Sequence, residues 1–459
     1  MYYVLAFFDE IRGIGATIMM PIIICIMGIL LKAGVGKSIR AGLTVGIGFI
    51  GLFLVIGLIG TYLGPAVKQM VTNFGLQLDV VDVGWPSAAA IAFASNVGMI
   101  IIPVGMVVNV VMLITNTTQT IDIDIWDYWH FAFTGALVAI LTGSQLFGVA
   151  AAVINMVIIM VLGDWTASGV EKTLDLPGVS LPHGFTAAYA PIAMVLNKLI
   201  DMIPRVNRIN FNLETLQRRF GVFGEPILVG TVLGAVIGIV AGYGYKGVMN
   251  LAIQMGAVLV LIPKMAALLM EGLLPISDAA SSFIRDRFKN RGKIYIGLDS
   301  AIGVGHPLTL SVSLILVPIA VFLAVILPGN HVLPFADLAV IPWMFVLIIP
   351  VVNGNGFRAL VIGVVVLTVG LYIATNLSPL ITTAALNAQY IKQGSGAISS
   401  ICDGANPLTW VLVRVYEMGP VVGLGVPAAV AVVMAVFNRK KILREAAEMR
   451  AAASLVEAE

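Results

Sequence analysis

The stretch MPIIICIMGILLKAGVGKSIRAGL, residues 20–43, has a counterpart later in the chain, EPILVGTVLGAVIGIVAGYGYKGVMNL, residues 225–251. In each stretch a proline opens an apolar run, and a glycine-rich turn then leads to a second apolar run. Proline is favoured in the first turn of a helix and glycine just beyond the last. The pattern therefore predicts a pair of helices that occurs twice.

Further matches extend this likeness along the chain. The matched positions are Pro65 and Pro275 at the end of the second run, Pro103 and Pro318 in the third, Asp127 and Asp337 before the fourth, and Gly143-Ser144-Gln145 and Asn353-Gly354-Asn355 before the fifth. Their offset stays within roughly 205–215 residues, so we predict two structural repeats of five spans each.

The composition is that of a polytopic helical membrane protein. Of the 459 residues, 59% are hydrophobic and 11% are charged, whereas soluble domains carry about 25% charged residues. A helix needs about 20 apolar residues to cross a bilayer. About eleven spans are predicted, at residues 14–31, 41–63, 98–115, 128–142, 145–163, 226–243, 248–272, 306–327, 338–352, 357–374 and 419–437.

Basic segments predict the orientation. The turn KAGVGKSIR after the first helix is basic and has no acid, whereas its counterpart AGYGYKG has a single lysine. The segments NKLIDMIPRVNRINFNLETLQRRF and IRDRFKNRGK and the tail NRKKILRE are also basic. Because cytoplasmic loops are enriched in Lys and Arg, we expect all four segments in the cytoplasm. The N-terminus is then outside, the C-terminus is cytoplasmic, and the two repeats are inverted.

The predicted organisation follows from these spans. It comprises a first inverted repeat over residues 1–163, a cytoplasmic-side linker over 164–224, a second inverted repeat over 225–374, and a polar segment, last helix and cytoplasmic tail over 375–459. No removable signal peptide is recognisable at the N-terminus, so we expect the first helix in the mature protein.

Several chemistries lack support in the sequence. Cys25 and Cys402 stand alone, without the spacing of a zinc site or a disulfide framework. A nucleotide-binding loop of the G-x-x-x-x-G-K-[ST] type is missing, so transport driven by ATP in this chain is unsupported. We predict no metal, no cofactor, no catalytic residue and no nucleic-acid partner.

Inverted repeats are typical of transporters, whose substrate sites lie where helices are broken near the bilayer midplane. Four polar, glycine-containing stretches fit such breaks: GWPSAAAIAFASNVG (84–98) with GLDSAIGVGHP (297–307), and LTGSQLFG (141–148) with VVNGNGFR (351–358). The first pair suits re-entrant hairpins, since non-helical backbone in a membrane must be buried in protein or line a cavity. Hydroxyl, amide and carboxylate groups together favour a polyhydroxylated ligand.

Asp299 is the principal candidate within these stretches. An acid inside a membrane protein is a functional residue by default, and Asp299 would accept hydrogen bonds from ligand hydroxyls. The alternative is that Asp299, followed by Ser300, caps a short helix. The other candidate substrate-binding residues are Ser300, His306, Ser95, Asn96, Ser144, Gln145, Asn353, Asn355, Glu225 and His183.

Structural explanations compete with a binding role for several of these. His306 precedes Pro307 and equally suits a helix start, and His183 suits a loop on the cytoplasmic side. Glu225 would be stabilised by a helix dipole. Asn353 and Asn355 suit a turn. Trp126, Tyr128 and Trp129, with His130, are predicted at the membrane interface as an aromatic belt.

Four stretches together resemble a known family: GIGATIMMPIIICIMGILLKAGVGKSIRAGLTVGIGFIGL, FGEPILVGTVLG, IGLDSAIGVGHPL and NGNGFRAL. They are similar to the galactitol-specific enzyme IIC of the bacterial phosphoenolpyruvate-dependent sugar phosphotransferase system (PTS), which is related in fold to the ascorbate-specific enzyme IIC. The likeness covers nearly the whole chain.

The resemblance implies a homodimer in the bacterial inner membrane, with eleven helices and two re-entrant hairpins. A scaffold (V-motif) would include residues 14–63 and 226–272, and the rest would form a moving core. The chain would carry galactitol or a related alditol across the bilayer in an elevator-like step. Separate enzymes IIA and IIB would supply the phosphoryl group, which a phosphocysteine of IIB would transfer to give galactitol 1-phosphate.

Two other classes remain as alternatives. An ion-coupled secondary transporter for a polyol or sugar acid fits inverted repeats and broken helices equally well. Such a carrier usually buries acids or bases for the coupling ion, and only Asp299 clearly qualifies here. An integral-membrane enzyme would need a nucleophile or a metal cluster, and the sequence offers neither in a convincing form.

Overall fold

The computed structural model describes residues 16–63, 78–122, 124–209, 226–288, 294–304 and 306–456, together with 65, 66, 69 and 73. The described part is mainly helical. Its helices are α1 (Ala16–Leu30), α2 (Val35–Leu58), α3 (Trp85–Phe93), α4 (Asn96–Ile114), α5 (Tyr128–Thr142), α6 (Gln145–Thr173), α7 (Gly184–Ala188), α8 (Ala190–Asp201), α9 (Pro226–Val240), α10 (Tyr245–Phe288), α11 (Ala301–Val304), α12 (Pro307–Ile326), α13 (Ile341–Phe345), α14 (Ile348–Val351), α15 (Gly356–Asn387), α16 (Pro407–Glu417) and α17 (Pro420–Val456).

Six very short strands lie between these helices. They are β1 (Val80–Asp82), β2 (Thr120–Asp122), β3 (Val179–Ser180), β4 (Tyr295–Gly297), β5 (Val332–Leu333) and β6 (Ala397–Ser399). They form two parallel three-stranded sheets, a first sheet in the order β5-β1-β6 and a second sheet in the order β2-β4-β3. Each sheet therefore joins segments that are far apart in the chain.

The same order of elements occurs on both sides of residues 210–225. A strand (β1 or β4) leads to a short helix (α3 or α11), a long helix (α4 or α12), a second strand (β2 or β5) and a 3-10 turn (Ile125–Asp127 or Ala336–Val340). In each sheet the central strand comes from one half of the chain and both edge strands come from the other. The two halves are thus interlocked through their backbones.

Both breaks predicted between a short and a long helix are present. α3 starts at Trp85 and ends at Phe93, and Ser95 caps the following helix by accepting a hydrogen bond from the Gly98 N–H at 3.0 Å. In the second half α11 is only four residues long, and α12 begins after His306. Ser95 and Asn96 lie at the first junction, and His306 lies at the second.

Four helices in the described ranges are long and apolar enough to cross a membrane, namely α4, α6, α15 and the 420–448 part of α17. α5 is shorter, and its side chains are buried without interruption from Tyr128 to Ala139. A helix that is apolar on all sides belongs in the interior of a membrane protein. Large apolar side chains such as Val421, Val432 and Phe437 are instead exposed on α17, as expected for a surface in lipid.

Three sequence-based expectations need correction. Trp126, Tyr128 and Trp129 are at most 3% exposed, so they form part of the interior and not an aromatic belt, and His130 is buried with them. α6 continues to Thr173, beyond the predicted end at residue 163. α10 continues through Pro275 to Phe288, where a helix end was predicted near residue 272.

α5 and α6 cross at a point where their backbones nearly touch. A Cβ atom added to Gly148 would lie 2.6 Å from the carbonyl oxygen of Gly135 and 2.7 Å from the Cβ of Ala139. Small residues permit such close approach of helices in membranes, where packing replaces the hydrophobic effect as the force between helices. The close packing of α5 against α6 therefore requires glycine at both position 135 and position 148.

We predict that Gly148→Ala lowers the stability of the folded protein, because the added methyl group would push α5 away from α6. Overpacking of this kind costs about 1–3 kcal/mol. The measurement is thermal unfolding of the purified protein in detergent. Gly425→Ala on α17 is the control, since its added Cβ would meet no atom within 4 Å. An equal melting temperature for both variants would contradict the prediction.

Candidate functional site

Polar side chains gather at the carboxyl ends of the second sheet. β2 ends at Asp122 and is followed by Asp124 and Asp127, β3 is followed by His183, and β4 is followed by Asp299. Parallel strands place their carboxyl ends at the same edge of a sheet, and ligands of such sheets bind beyond that edge. Strand pairing thus brings three distant segments of the chain to one place.

The distances define one cluster. Nε2 of His183 lies 3.5 Å from Oδ1 of Asp299 and 3.8 Å from Oδ1 of Asp127. One carboxylate oxygen from each of Asp124, Asp127 and Asp299 falls within 4.8 Å of the others. Asp127 is fully buried, whereas the Asp299 side chain is 15% exposed. The cluster, called here the acidic cluster, comprises Asp124, Asp127, Asp299 and His183.

A second histidine joins the acidic cluster to α16. Nε2 of His130 lies 3.3 Å from Nε2 of His183, and the two ring centroids are 4.3 Å apart. On its other side, Nδ1 of His130 forms a short hydrogen bond with Oδ2 of Asp403. Asp403 is fully buried, and its Oδ1 accepts a hydrogen bond from Nδ2 of Asn406 at 2.8 Å. The side chains of Asp403, His130 and His183 therefore form a continuous chain leading to Asp299.

Aromatic rings surround this chain of side chains. The ring of Trp129 lies 4.0 Å from that of His130, between centroids, and Trp129 stacks on Trp85 at 6.4 Å. Trp126 contacts the edge of the same Trp85 at 6.2 Å. Trp85 begins α3, so the short helix of the first half contributes to the wall of the site. The wall is apolar and excludes water from the histidines.

Close approach of the β3–α7 loop to α5 requires glycine at position 184. A Cβ atom added there would lie 2.3 Å from the Cβ of His130. The carbonyl oxygen of Gly184 also accepts a hydrogen bond from Nδ2 of Asn406 at 3.0 Å. His183, His130 and Asp403 are thus held together through backbone as well as side-chain contacts.

The first sheet carries a corresponding acid with a different environment. Asp337 lies in the 3-10 turn after β5, as Asp127 lies in the 3-10 turn after β2. Its carboxylate accepts hydrogen bonds from the backbone N–H groups of Trp85 (2.6 Å) and Cys402 (3.0 Å) and from the Ser400 hydroxyl (2.6 Å). Asp82 similarly accepts from the N–H groups of Phe335 and Asp337. Hydrogen bonds to Asp337 and Asp82 thus connect the segments around the first sheet, so both acids have a structural role.

In the second sheet the corresponding acceptors, the carboxylate oxygens of Asp127, have no hydrogen-bond donor among the described residues. Trp85 and Cys402 each follow their strand by three residues, and the corresponding residues of the second sheet are Ser300 and His183. Neither donates to Asp127, and both carboxylate oxygens of Asp127 lack a hydrogen-bond partner among the described residues. The same holds for both oxygens of Asp122 and for the Ser300 hydroxyl, and all three side chains are buried. Unpaired buried polar atoms are costly, so this edge is suited to a ligand.

The candidates predicted from the sequence fall in several places. Asp299, Ser300 and His183 lie at the acidic cluster, where Oδ1 of Asp299 also caps α11 by accepting from the Ala301 N–H at 2.7 Å. The binding and capping roles considered for Asp299 are thus compatible. His306 is half-buried at the start of α12. Glu225 lies outside the described residues.

The first-half candidates lie at the other end of α5. Ser95, Asn96 and Gln145 line a cavity of about 100 Å³ together with Asn387, and Ser144 is the residue before α6. Ala136 and Ala139 of α5 also line this cavity. His130 is at the N-terminal end of the same helix, so the cavity and the acidic cluster are separate regions.

Asn353 and Asn355 lie at a third location, before α15. Asn353 adopts a left-handed conformation with φ of 51°, as in a turn. Asn355 caps α15 by accepting from the Arg358 N–H at 3.1 Å and donates to the Ile209 carbonyl at 3.0 Å. Arg358 in turn pairs with Asp201 at 2.7 Å. The amide of Asn355 and both terminal nitrogens (Nη1 and Nη2) of Arg358 thus already have protein partners.

Sequence analysis missed Asp124, Asp127, His130 and Asp403 as members of the site. The available signal was the density of acids in DIDIWDYWH, next to an apolar helix. An intramembrane acid indicates function by default, but an interfacial loop gives the same pattern. Asp403 is distant in sequence from every other member and had no local signal.

The histidine side of the acidic cluster fits a hydroxyl group better than a metal ion. Ligand atoms of Asp127, His130 and His183 lie within 4.8 Å of one another. However, Nδ1 of His183 accepts the backbone N–H of Thr186 at 3.3 Å, so Nε2 carries the proton in the neutral ring. A protonated Nε2 donates to oxygen and does not bind a metal.

Apolar spans around a buried polar site define a multi-pass membrane protein of the permease class. Residues 10–394 match the family described as the PTS system sugar-specific permease component. The galactitol-specific EIIC component of Escherichia coli strain K12 is 43% identical over 407 residues, or 89% of this chain and 90% of that protein. A putative permease IIC component of the same strain is 39% identical over 438 residues, or 95% of this chain and 100% of that protein. The chain belongs to the family of PTS sugar-specific permease components, as its motifs predicted.

We predict that the two corresponding acids respond differently to removal of their charge. Asp337→Asn should destabilise the fold by about 1–3 kcal/mol, because the amide nitrogen would face either the Trp85 N–H at the Oδ1 position or the Ser400 and Cys402 donors at the Oδ2 position and leave at least one of them unpaired. Asp127→Asn should leave the stability of the empty protein unchanged or raise it, since Asp127 has no donor to lose. Thermal unfolding of both variants without ligand is the measurement. A greater loss of stability in Asp127→Asn would contradict the assignment.

Proposed function

We propose that this chain is the membrane-embedded permease subunit of a PTS and that it carries galactitol. We place the alditol at the carboxyl edge of the second sheet, among Asp122, Asp127, Asp299, His183 and His130. The E. coli relative named as galactitol-specific covers nearly the same length, which supports the substrate. Enzyme IIC proteins work with separate partners, so IIA and IIB are proposed as partners.

The unpaired acceptors of Asp127 carry this proposal. Their counterpart Asp337 accepts three hydrogen bonds within the protein. At the corresponding position of the second sheet, the carboxylate of Asp127 accepts none from the described residues and could accept them from a ligand. Each hydroxyl of an alditol is a donor and an acceptor. It can donate to a carboxylate of Asp127 or Asp299 and accept from Nε2–H of His183. A neutral polyol would then complete this edge as Trp85, Ser400 and Cys402 complete the other.

The two halves of the chain are proposed to be inverted repeats. The recurring order of elements and the exchange of strands between the halves support this. The predicted scaffold is supported by packing, since α2 packs along α10, α1 packs on α2, and α9 packs on α10. We further propose eleven crossings, a homodimer, and an elevator-like movement of the remaining helices relative to this scaffold.

Orientation and chemistry complete the proposal. The basic tail after α17 favours a cytoplasmic C-terminus, and the N-terminus is then outside. The protein would lie in the bacterial inner membrane, receive the alditol from outside and present it to IIB in the cytoplasm. A phosphocysteine of IIB would phosphorylate the bound alditol to galactitol 1-phosphate.

The acidic cluster also favours a second candidate function. Three carboxylate oxygens within 4.8 Å repel one another when charged, and a proton or cation would relieve that repulsion. An ion-coupled secondary transporter of a polyol or sugar acid would use such a cluster. The two functions differ in what drives uptake, which an experiment can separate.

We predict that Asp127→Asn and Asp299→Asn each weaken galactitol binding by about tenfold or more. A hydrogen bond to a charged acceptor contributes about 1.5–3 kcal/mol, and either amide would present a donor where an acceptor is needed. Isothermal calorimetry on the detergent-purified protein gives the affinity. Asp164→Asn is the matched control, because Asp164 is a buried acid that accepts from Thr120 and Asn438 and lies outside the acidic cluster. Unchanged affinity in both site variants would exclude this edge as the binding site.

We predict that uptake depends on phosphoenolpyruvate. Right-side-out vesicles containing the chain are loaded with the general PTS proteins, IIA, IIB and phosphoenolpyruvate, and labelled galactitol is added outside. Labelled galactitol phosphate should accumulate in the lumen, and omission of IIB should abolish it. Uptake of unmodified galactitol that follows a proton or sodium gradient would instead favour the secondary transporter. Phosphate formed only when the partners are supplied outside would contradict the proposed orientation.

A further inference from the structure

Asp403 and His130 form a buried, hydrogen-bonded pair beside the proposed substrate site. Asp403 accepts a hydrogen bond at Oδ2 from Nδ1 of His130, and its Oδ1 accepts from Asn406. Both side chains are at most 1% exposed. Asp403 also lies directly before the turn that starts α16, while His130 lies in the first turn of α5. The pair therefore joins α5 to the segment before α16, and Asn406 holds the Asp403 carboxylate from the other side.

Hydrogen bonding assigns the protonation of both histidines. An ionised Asp403 can only accept, so Nδ1 of His130 then carries the proton and Nε2 of the neutral ring presents its lone pair towards His183. Nδ1 of His183 accepts from the Thr186 N–H, so His183 carries its proton on Nε2. The two Nε2 atoms are 3.3 Å apart, so without ligand His183 can donate to His130; a bound hydroxyl would replace His183 as the donor to His130 and accept the Nε2–H of His183. Of the two rings, His130 is the one able to accept a proton on the side of the acidic cluster.

We propose that His130 is the proton acceptor for the hydroxyl that becomes phosphorylated and that Asp403 is its positioning residue. This inference rests on the proposed function, in which a phosphorylated partner protein is the phosphoryl donor. A carboxylate behind an imidazole holds the ring in one tautomer and stabilises the imidazolium that forms. An imidazole is suited to proton transfer near neutral pH.

The reaction step balances without a further reagent. The alditol oxygen attacks the phosphorus of the partner's phosphocysteine, forming an O–P bond while the P–S bond breaks and the thiolate leaves with the electron pair. The hydroxyl proton passes to Nε2 of His130, and the imidazolium is stabilised by Asp403. The proton then returns to the thiolate, and the alditol phosphate is the other product. No oxidant, reductant or metal takes part.

The surrounding residues are arranged for this role. Nε2–H of His183 and the carboxylates of Asp127 and Asp299 surround the position that a hydroxyl would occupy, with Nε2 of His183 at 3.8 and 3.5 Å from the two acids. The Trp129 ring packs against the His130 ring in a tilted arrangement, with the centroids 4.0 Å apart. The group that accepts the proton and the groups that hold the hydroxyl thus face one another.

Asp403→Asn is the test, because Asp403 supports His130 without lying at the substrate. Asn406 donates to Oδ1, so the introduced amide would keep its oxygen there and turn its NH₂ towards Nδ1 of His130. His130 would then take the other tautomer, with its proton on Nε2, and lose its ability to accept one. The expected result is a fall of about 10²–10⁴-fold in the rate of galactitol phosphorylation by phosphorylated IIB, measured in a single turnover at saturating galactitol. The dissociation constant for galactitol should stay within about threefold.

His130→Gln provides the second arm and keeps the proposal testable if Asp403→Asn folds poorly. It should lower the single-turnover rate as much, and the double variant should be no slower than either single variant, because the two residues act as one unit. Asp164→Asn is the control for loss of a buried carboxylate and should keep the wild-type rate.

An unchanged turnover rate in Asp403→Asn or in His130→Gln would overturn the inference. So would a loss of affinity as large as the loss of rate, which would show a binding role alone. Failure of the proposed function is a different result: the wild-type protein would bind galactitol but yield no phosphate with phosphorylated IIB.

Discussion

Non-helical backbone inside a membrane protein must find its hydrogen-bond partners within the protein, and this constraint organises the whole molecule. The chain meets it with two parallel three-stranded sheets at the ends of broken helices. Because β1 and β4 each pair only with strands from the other half, neither half can satisfy its backbone alone. The positions of α3, α11 and the polar residues beyond the strands all follow from that pairing.

The two sheets have the same arrangement of elements, but the acids that follow their strands differ in their hydrogen bonds. At the first sheet, Asp337 receives donors from Trp85, Ser400 and Cys402, and the carboxylate joins three segments. At the second sheet, the corresponding Asp127 receives no hydrogen bond from the described residues, and in the proposed function the hydroxyl groups of the alditol donate to it. The two acids thus differ in the donors that reach them, so that Asp337 has a structural role and Asp127 is a proposed ligand-binding residue. The imidazole of His130, which is hydrogen-bonded to Asp403, lies next to Asp127 and His183.

Periodicity and proline positions predicted a mainly helical membrane protein, because apolar length and helix breakers are local properties. The breaks at Ser95-Asn96 and before His306 were predicted for the same reason. The predicted span at residues 338–352 is instead a 3-10 turn followed by the short helices α13 and α14. Of the candidates predicted from the sequence, Asp299, Ser300 and His183 lie at the acidic cluster, and they were singled out because polar residues beside apolar runs are conspicuous. His130, Trp126, Tyr128 and Trp129 were assigned to an interface, because an acidic, aromatic segment looks the same at a membrane surface and in a buried loop.

The sequence by itself determined the membrane class, the repeated helix pattern and the family, all of which depend on the order and type of residues. Only the tertiary structure decided which polar residues meet, because strand pairing joins positions as distant as Asp122 and Gly297. The tertiary structure also separated Asp127 from Asp337, two acids with the same local setting. Their difference lies in donors that come from remote segments, and such donors leave no trace in the residues around either acid.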